Sequence, residues 1–152
     1  MDNSSGNNTI PFPNYGDYKC ELLYDSVDMA AFGPGAITQM RFPVAGNVSG
    51  SNRNRMVIKM SNVDPEYTLP SSNKFYIEYQ KTVYDSSLVI TQNNNTSGTI
   101  YLQDTFFYAG KGLRITMITD NTSSDPSAVS VRTANAPAND NHKGALHAGF
   151  NV

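Results

Sequence analysis

The sequence predicts an all-β protein, an antiparallel β-sandwich of jelly-roll type with about eight strands. The strongest indication is the stretch 98–122, where Ile100 and Leu102 alternate with polar neighbours and residues 113–119 are rich in β-branched side chains. Gly110 and Gly112 separate these two segments and indicate a turn, because glycine adopts positive φ at little cost. We therefore predict that the two segments are strands joined as a hairpin.

The composition agrees with this fold class. Aromatic residues make up 11% of the 152 residues, none of them Trp, and charged residues only 16%. Asn, Ser and Thr occupy the polar positions instead, which suits exposed strand faces and turns better than long helices. A chain of this length normally forms one domain. We predict a flexible N-terminal segment at residues 1–9 and a single β-sandwich domain at residues 10–152.

A strand is predicted at residues 18–24, after an edge or lead-in segment at residues 10–13, with Cys20, Leu22 and Tyr24 on one face. Asp25 or Ser26 can then cap a short helical turn, which the glycines after residue 32 end. Residues 36–44 form the next predicted strand. Within it Ile37 is out of step with Met40 and Phe42, so we expect a bulge or a change of face near residues 38–39.

The rest of the chain alternates between polar loops and short apolar segments. Residues 46–54 are predicted as a loop and residues 55–60 as a central strand, and residues 93–98 as a hairpin loop that leads into the 98–122 stretch. Four further strands are predicted from periodicity, at residues 75–79, 83–91, 128–132 and, as an edge strand, 145–150.

Several segments together resemble a known family. They are residues 24–29, 35–42, 57–60, 83–85, 100–102, 106–110, 113–115 and 120–121, in that order and spacing. They are similar to the β-sandwich modules of large secreted and cell-surface proteins of Bacteroidetes, over roughly residues 12–132. The resemblance implies a non-catalytic adhesion or accessory module that is extracellular or on the cell surface, with a glycan or an extracellular protein as its partner.

Charge and hydropathy exclude other classes of partner. The formal net charge is −2, which gives no general attraction to nucleic acid, and no apolar run reaches the ~18 residues that span a bilayer. We predict neither nucleic-acid binding nor membrane insertion. The N-terminus has neither the charged nor the apolar region of a signal peptide. Either the chain is made without one or it is a mature segment with an added methionine, which is the interpretation we favour.

No catalytic motif is present, and we predict that the protein is not an enzyme. Cys20 lies on an apolar strand face, where a thiol acts as a small hydrophobic group, and a single cysteine forms no internal disulfide. His142 and His147 lie in a polar tail, where we expect them to be solvated rather than to bind a metal. The sequence also contains a basic set: Arg41, Arg53, Arg55 and Lys59. We interpret this basic set as a solvated strand face with salt-bridge partners.

A structural calcium ion is the one cofactor that the sequence leaves open. Asp120, Asn121 and Asp125 lie close together on one loop, and oxygen ligands on sandwich loops can hold calcium. The same residue types form turns at strand ends, and no glycine occupies the position that a calcium-binding EF-hand loop needs. We keep both interpretations, with no cofactor as the default.

Tyrosines are the best candidates for ligand contact. Four tyrosines lie on or beside predicted strands: Tyr76, Tyr79, Tyr101 and Tyr108. An exposed tyrosine ring can stack on a sugar while nearby amides form hydrogen bonds with the hydroxyl groups of the sugar. Tyrosine is also a common structural residue of strands. The sequence therefore predicts a carbohydrate- or protein-binding module. The alternative is a self-assembling structural protomer of a virion or filament, which would form homo-oligomers by packing against its own copies.

Overall fold

The computed structural model describes residues 4–8, 18–44, 48–64, 79–92, 97–120, 131–134 and 147–149, and these residues form β-strands and turns without any helix. The strands are β1 (Ser4–Asn8), β2 (Tyr18–Tyr24), β3 (Gly35–Pro43), β4 (Val48–Val63), β5 (Lys81–Gln92), β6 (Ser97–Tyr108), β7 (Gly112–Asp120), β8 (Val131–Ala134) and β9 (His147–Gly149). Across these ranges there is no helix long and apolar enough to cross a bilayer. The all-β prediction is confirmed for the described residues.

The strands pair into three antiparallel sheets. The largest has five strands in the order β5-β4-β7-β2-β9, and two-stranded sheets are formed by β3 with β6 and by β1 with β8. Strand β4 lies between β5 and β7, as predicted for a central strand. It also includes residues 48–54, predicted as a loop, because pairing with β5 satisfies the backbone groups of this polar segment.

The prediction that residues 98–122 form a hairpin is wrong. β6 pairs with β3, whereas β7 pairs with β2 and β4, so the turn between β6 and β7 carries the chain from one sheet to another. Gly110 has φ +80°, and a Cβ there would lie 2.8 Å from a Pro34 carbon. At Gly112 the constraint is space rather than backbone conformation, because a Cβ added there would lie 2.8 Å from a side-chain carbon of Val63. The hairpin predicted at residues 93–98 is wrong for the same reason, because β5 and β6 also belong to different sheets.

The predicted irregularity of β3 is confirmed. The register between β3 and β6 shifts between Ile37 and Gln39. Ile37 pairs with Phe106 and Gln39 with Tyr101, so one residue of β3 and four residues of β6 lie between these two pairs. Ile37 packs against the core on one side of this shift, and Met40 and Phe42 pack against it on the other. The irregularity thus keeps apolar residues facing inward along the whole strand.

The hydrophobic core is built from both larger sheets. Buried residues of the five-stranded sheet include Cys20, Ile58 and Met117, and those of the two-stranded β3–β6 sheet include Ile100 and Phe106. Residues on β2 and β6 alternate between this core and the opposite face, as the sequence pattern predicts. One core therefore joins the two sheets.

The connection between β2 and β3 is a capped turn. The Asp25 carboxylate accepts hydrogen bonds from the backbone N–H groups of Val27 and Asp28, at 2.8 Å each. The Met29 N–H donates to the Asp25 carbonyl, so a single helical turn forms and stops before Gly33, whose φ is +62°. The predicted cap and glycine stop are confirmed.

The strands near the chain ends pair at the margins of the fold. β9 pairs with β2 at the edge of the five-stranded sheet, which agrees with the predicted edge strand at residues 145–150. β8 begins within the predicted 128–132 strand and pairs with β1, which lies in the segment predicted to be flexible. The predicted 75–79 strand lies outside the described residues except for Tyr79.

Candidate functional site

Tyr101 is the predicted ligand-contact residue that the structure displays on a sheet face. It lies on β6, with 73% of its surface exposed, directly opposite Gln39 on β3. Arg41 lies opposite Thr99 in the same ladder, two residues further along both strands. Their neighbours Met40 and Ile100 pack into the core, so these four side chains share the outward face.

Phe107 extends this surface toward the corner between β6 and β7. It is 72% exposed and lies opposite Ala36 on β3. We call the outward residues of the two-stranded sheet the contact face: Ala36, Gln39 and Arg41 on β3, and Thr99, Tyr101 and Phe107 on β6. Arg41 is the only charged member. An exposed ring beside an amide, a hydroxyl and a cation can stack on a ligand and bond to its polar groups.

Contacts with the five-stranded sheet hold β6 in place between the two exposed rings. The Asp85 backbone N–H donates to the Gln103 side-chain carbonyl at 2.7 Å. The Lys81 ammonium donates to the Thr105 carbonyl at 2.9 Å and lies 3.0 Å from the Asp104 carboxylate. These bonds join β5 to the irregular part of β6. Tyr101 therefore projects from a strand that is anchored on both sides.

The end of β6 is held by one asparagine. The Asn62 amide nitrogen donates to the Phe107 carbonyl at 3.1 Å, and its amide oxygen accepts from the Ala109 N–H at 2.8 Å. The side chain thereby replaces the neighbouring strand that β6 lacks at this point. This contact fixes the backbone that carries Phe107.

The other predicted tyrosines do not join Tyr101. Tyr108 is 4% exposed, and its hydroxyl donates to the Lys111 carbonyl, so it serves as a core residue with an anchored hydroxyl. Tyr79 is 91% exposed but lies two residues before β5 of the five-stranded sheet. Tyr76 lies outside the described residues. The structure thus brings neither Tyr79 nor Tyr108 into the contact face.

The predicted calcium ligands are only partly described. Asp120 is exposed at the end of β7, opposite Arg55 on β4, while Asn121 and Asp125 lie outside the described residues. In the parts of the chain that the structure covers, no three His, Cys, Asp or Glu side chains come together as metal ligands. Asp120 is placed at a strand end, where an aspartate also suits a turn.

The predicted basic set is divided among different environments. Arg41 belongs to the contact face, whereas Arg53 is fully buried and burial lowers its pKa to about 10. Arg55 is exposed and donates from two nitrogens to the Asp85 carboxylate at 2.7 and 2.8 Å. These hydrogen bonds raise the pKa of Arg55 and lower that of Asp85. The expected salt-bridge partner is therefore found for Arg55, while the expectation of solvation is wrong for Arg53.

Cys20 is buried on the core side of β2, as its position in the sequence pattern predicts. Burial raises the pKa of its thiol to about 12. The thiolate is the nucleophilic form of cysteine, so this side chain is unreactive at neutral pH in the folded protein. His142 lies outside the described residues, and of His147 only the backbone position opposite Glu21 is described.

A buried ion pair lies on the face of the five-stranded sheet opposite the core. The Arg114 guanidinium is 2.7 Å from the Glu21 carboxylate, and the two residues are 0% and 2% exposed. The Thr116 hydroxyl lies 3.3 Å from the same carboxylate oxygen and 2.9 Å from the Gln80 side-chain oxygen. This group is not among the sites predicted from the sequence. The alternation of each strand could have indicated it, because Glu21, Arg114 and Thr116 all occupy positions that face away from the core.

The same face carries two lysines near the ion pair. Burial lowers the pKa of Lys19; the Glu21 carboxylate opposes this shift, and the positive charges of Arg114 and Lys59 reinforce it. The polar group connects β2, β7 and Gln80, the residue before β5. Its two central charges are out of contact with solvent, so we assign it to stability rather than to ligand binding.

A shallow apolar cleft lies near the far end of the β3–β6 sheet. It is lined by Phe42, Val44, residues 88–90 and residues 98–100, with a volume of about 60 Å³. Small-molecule sites usually enclose ~300–1,000 Å³. The cleft accepts at most a small side chain, so the exposed contact face is the better candidate for recognition. No protein-family model, curated protein or solved structure matches this chain.

Proposed function

We propose that the protein is a non-catalytic binding module that recognises a glycan or an extracellular protein through its contact face. The observation that carries the proposal is the pair of exposed aromatic rings, Tyr101 and Phe107, on a sheet face anchored to the core. Large exposed apolar groups on a rigid surface are typical of interaction sites. Arg41 is the one charged member of the contact face, which favours contact rather than a chemical step.

The proposed module is a β-sandwich of jelly-roll type. Two observations support this architecture: the five-stranded and the β3–β6 sheets share one core, and the chain crosses between them at Gly110. The resemblance to Bacteroidetes cell-surface modules leads us to propose an extracellular or cell-surface location. Separately, the oxygen-bearing side chains of Asp120, Asn121 and Asp125 lead us to propose that any calcium bound there has a structural role.

The test is a binding assay on the whole chain. Immobilised glycans and extracellular matrix proteins are probed with the parent protein and with the variants Tyr101→Ala and Tyr79→Ala. Both tyrosines are highly exposed, so neither substitution should alter folding, but only Tyr101 lies on the contact face. We expect Tyr101→Ala to lose the signal and Tyr79→Ala to retain it. No signal from the parent, or equal loss in both variants, would overturn the proposal.

Self-assembly is the second candidate function, favoured by a separate observation. Val27 and Phe32, in the connection between β2 and β3, are 66% and 77% exposed. Exposed apolar side chains on a turn can pack against a second copy of the chain. Light scattering across a range of concentrations tests this: growth in mass that Phe32→Ser abolishes would support a structural protomer. A constant monomer mass would exclude it.

A further inference from the structure

We propose that the contact face selects an acidic sugar, a pyranose that carries a carboxylate. This inference rests on the proposed binding function and specifies its ligand class. It is carried by the juxtaposition of Tyr101, Gln39, Arg41 and Thr99 in two adjacent rungs of the β3–β6 ladder. These four residues offer an aromatic ring, an amide, a cation and a hydroxyl on one surface.

The spacing of the four side chains follows from the register. Gln39 faces Tyr101 and Arg41 faces Thr99, so each cross-strand pair is separated by about 5 Å. Successive outward residues on one strand lie about 7 Å apart. Arg41 is therefore on the diagonal from Tyr101, within reach of a group attached to a sugar that stacks on the ring. One or two pyranose rings cover this area.

Arg41 determines the charge of the ligand. It is exposed and makes no ion pair among the described residues, unlike Arg55, which binds Asp85, and Arg114, which binds Glu21. It is also the only charged member of the contact face. A guanidinium in this position can bind a carboxylate through two parallel hydrogen bonds.

The remaining groups favour a sugar over other acidic ligands. Gln39 can both donate and accept, and Thr99 adds a hydroxyl, which suits the hydroxyl groups of a pyranose. An extended peptide is held chiefly by a strand edge. The ring of Tyr101 and the polar groups beside it lie instead on the sheet face, where a pyranose can stack. A single cation is too little for nucleic acid, whose binding depends on many phosphate contacts.

The experiment compares two probes with the same sugar backbone: oligogalacturonate, which carries carboxylates, and its methyl ester, which is uncharged. Binding to the full chain is measured for the parent protein, for Arg41→Gln and for Arg55→Gln as a matched arginine control. We expect Arg41→Gln to weaken oligogalacturonate binding about ten- to a hundredfold, as for the loss of a charge-assisted hydrogen bond. The methyl ester should bind weakly to all three proteins. Arg55→Gln should behave as the parent, because Arg55 lies on the other sheet.

Two further arms separate the ligand class from the binding function. Raising the salt concentration should weaken oligogalacturonate binding by the parent and leave the residual binding of Arg41→Gln unchanged. Tyr101→Ala should also lose oligogalacturonate binding. This substitution does not change the charge of the contact face, so its effect would show that the aromatic ring contributes to binding. Preferential binding of poly-glutamate, or equal binding of the acid and the methyl ester, would refute the acidic-sugar inference. If neutral glycans or proteins still bound through Tyr101, the proposed binding function would stand.

Discussion

The buried Glu21–Arg114 pair provides the sharpest test of how the five-stranded sheet is stabilised. The perturbation is Glu21→Gln, which removes one charge while keeping the shape of the side chain. Both residues are almost fully inaccessible, and their charged atoms lie 2.7 Å apart. Without the carboxylate, the Arg114 cation loses the ion pair with Glu21 at a buried position.

The expected cost is large for a single substitution. Breaking a buried ion pair by removing one partner destabilises a protein by about 3–5 kcal/mol. A domain of this size loses about 2–4 °C of melting temperature per kcal/mol, so Tm should fall by about 6–20 °C. Urea denaturation measured by circular dichroism gives the free energy directly, provided that the slope m is unchanged.

Asp85→Asn is the matched control, because it removes a carboxylate from an ion pair of the same length that is exposed to solvent. Water and salt screen that pair, so its loss should change the urea midpoint far less. The double variant Glu21→Leu/Arg114→Met should recover much of the lost stability, since an apolar pair leaves no buried charge unpaired. Equal midpoints for Glu21→Gln and Asp85→Asn would refute this account of the buried pair.

Three further predictions concern other parts of the fold. The Cys20 thiol, with its pKa raised to about 12, should react with a disulfide reagent at pH 8 only as the protein unfolds; prompt reaction of the native protein would contradict its burial. Gly110→Ala should cost roughly 1–2 kcal/mol in urea denaturation, because φ there is +80° and the methyl group would overlap a proline ring. Gly35→Ala is its control, since a Cβ there meets nothing within 4 Å, and equal costs would refute the reasoning. The pKa of Asp85 is lowered in the folded state, so its contribution to stability is present above pH 3.8 and decreases as the pH falls further. Denaturation at a series of pH values measures the free energy of unfolding of the parent and of Asp85→Asn. The difference between these two free energies should decrease only in that acidic range.

Local pattern alone was enough to place several strands. The alternation of residues 18–24 predicted the bounds of β2 and the inward position of Cys20, because a strand with one buried face requires a period of two. The change of face in β3 was also readable, since Ile37 and Met40 cannot both face the core in a regular strand. These features depend only on neighbours within one segment.

The same alternation distinguishes the tyrosines when it is followed along β6. Tyr108 has the parity of Ile100 and Phe106, which are core residues, whereas Tyr101 has the opposite parity. Residue type alone makes both tyrosines candidates for ligand contact, because it does not distinguish the two faces of the strand. The period-two rule therefore contained the information that separates the exposed ring from the buried one.

Pairing between strands was beyond the reach of local pattern. A glycine turn such as the one at Gly110 can close a hairpin or carry the chain between sheets, and both outcomes leave the same sequence signature. The apolar faces of β6 and β7 are buried in one core, and this burial favours the crossing between sheets over the hairpin. That choice set Arg41 beside Tyr101 and Glu21 beside Arg114, residues separated by 60 or more positions along the chain. Which side chains meet is a property of the register between distant strands, and only three-dimensional packing determines it.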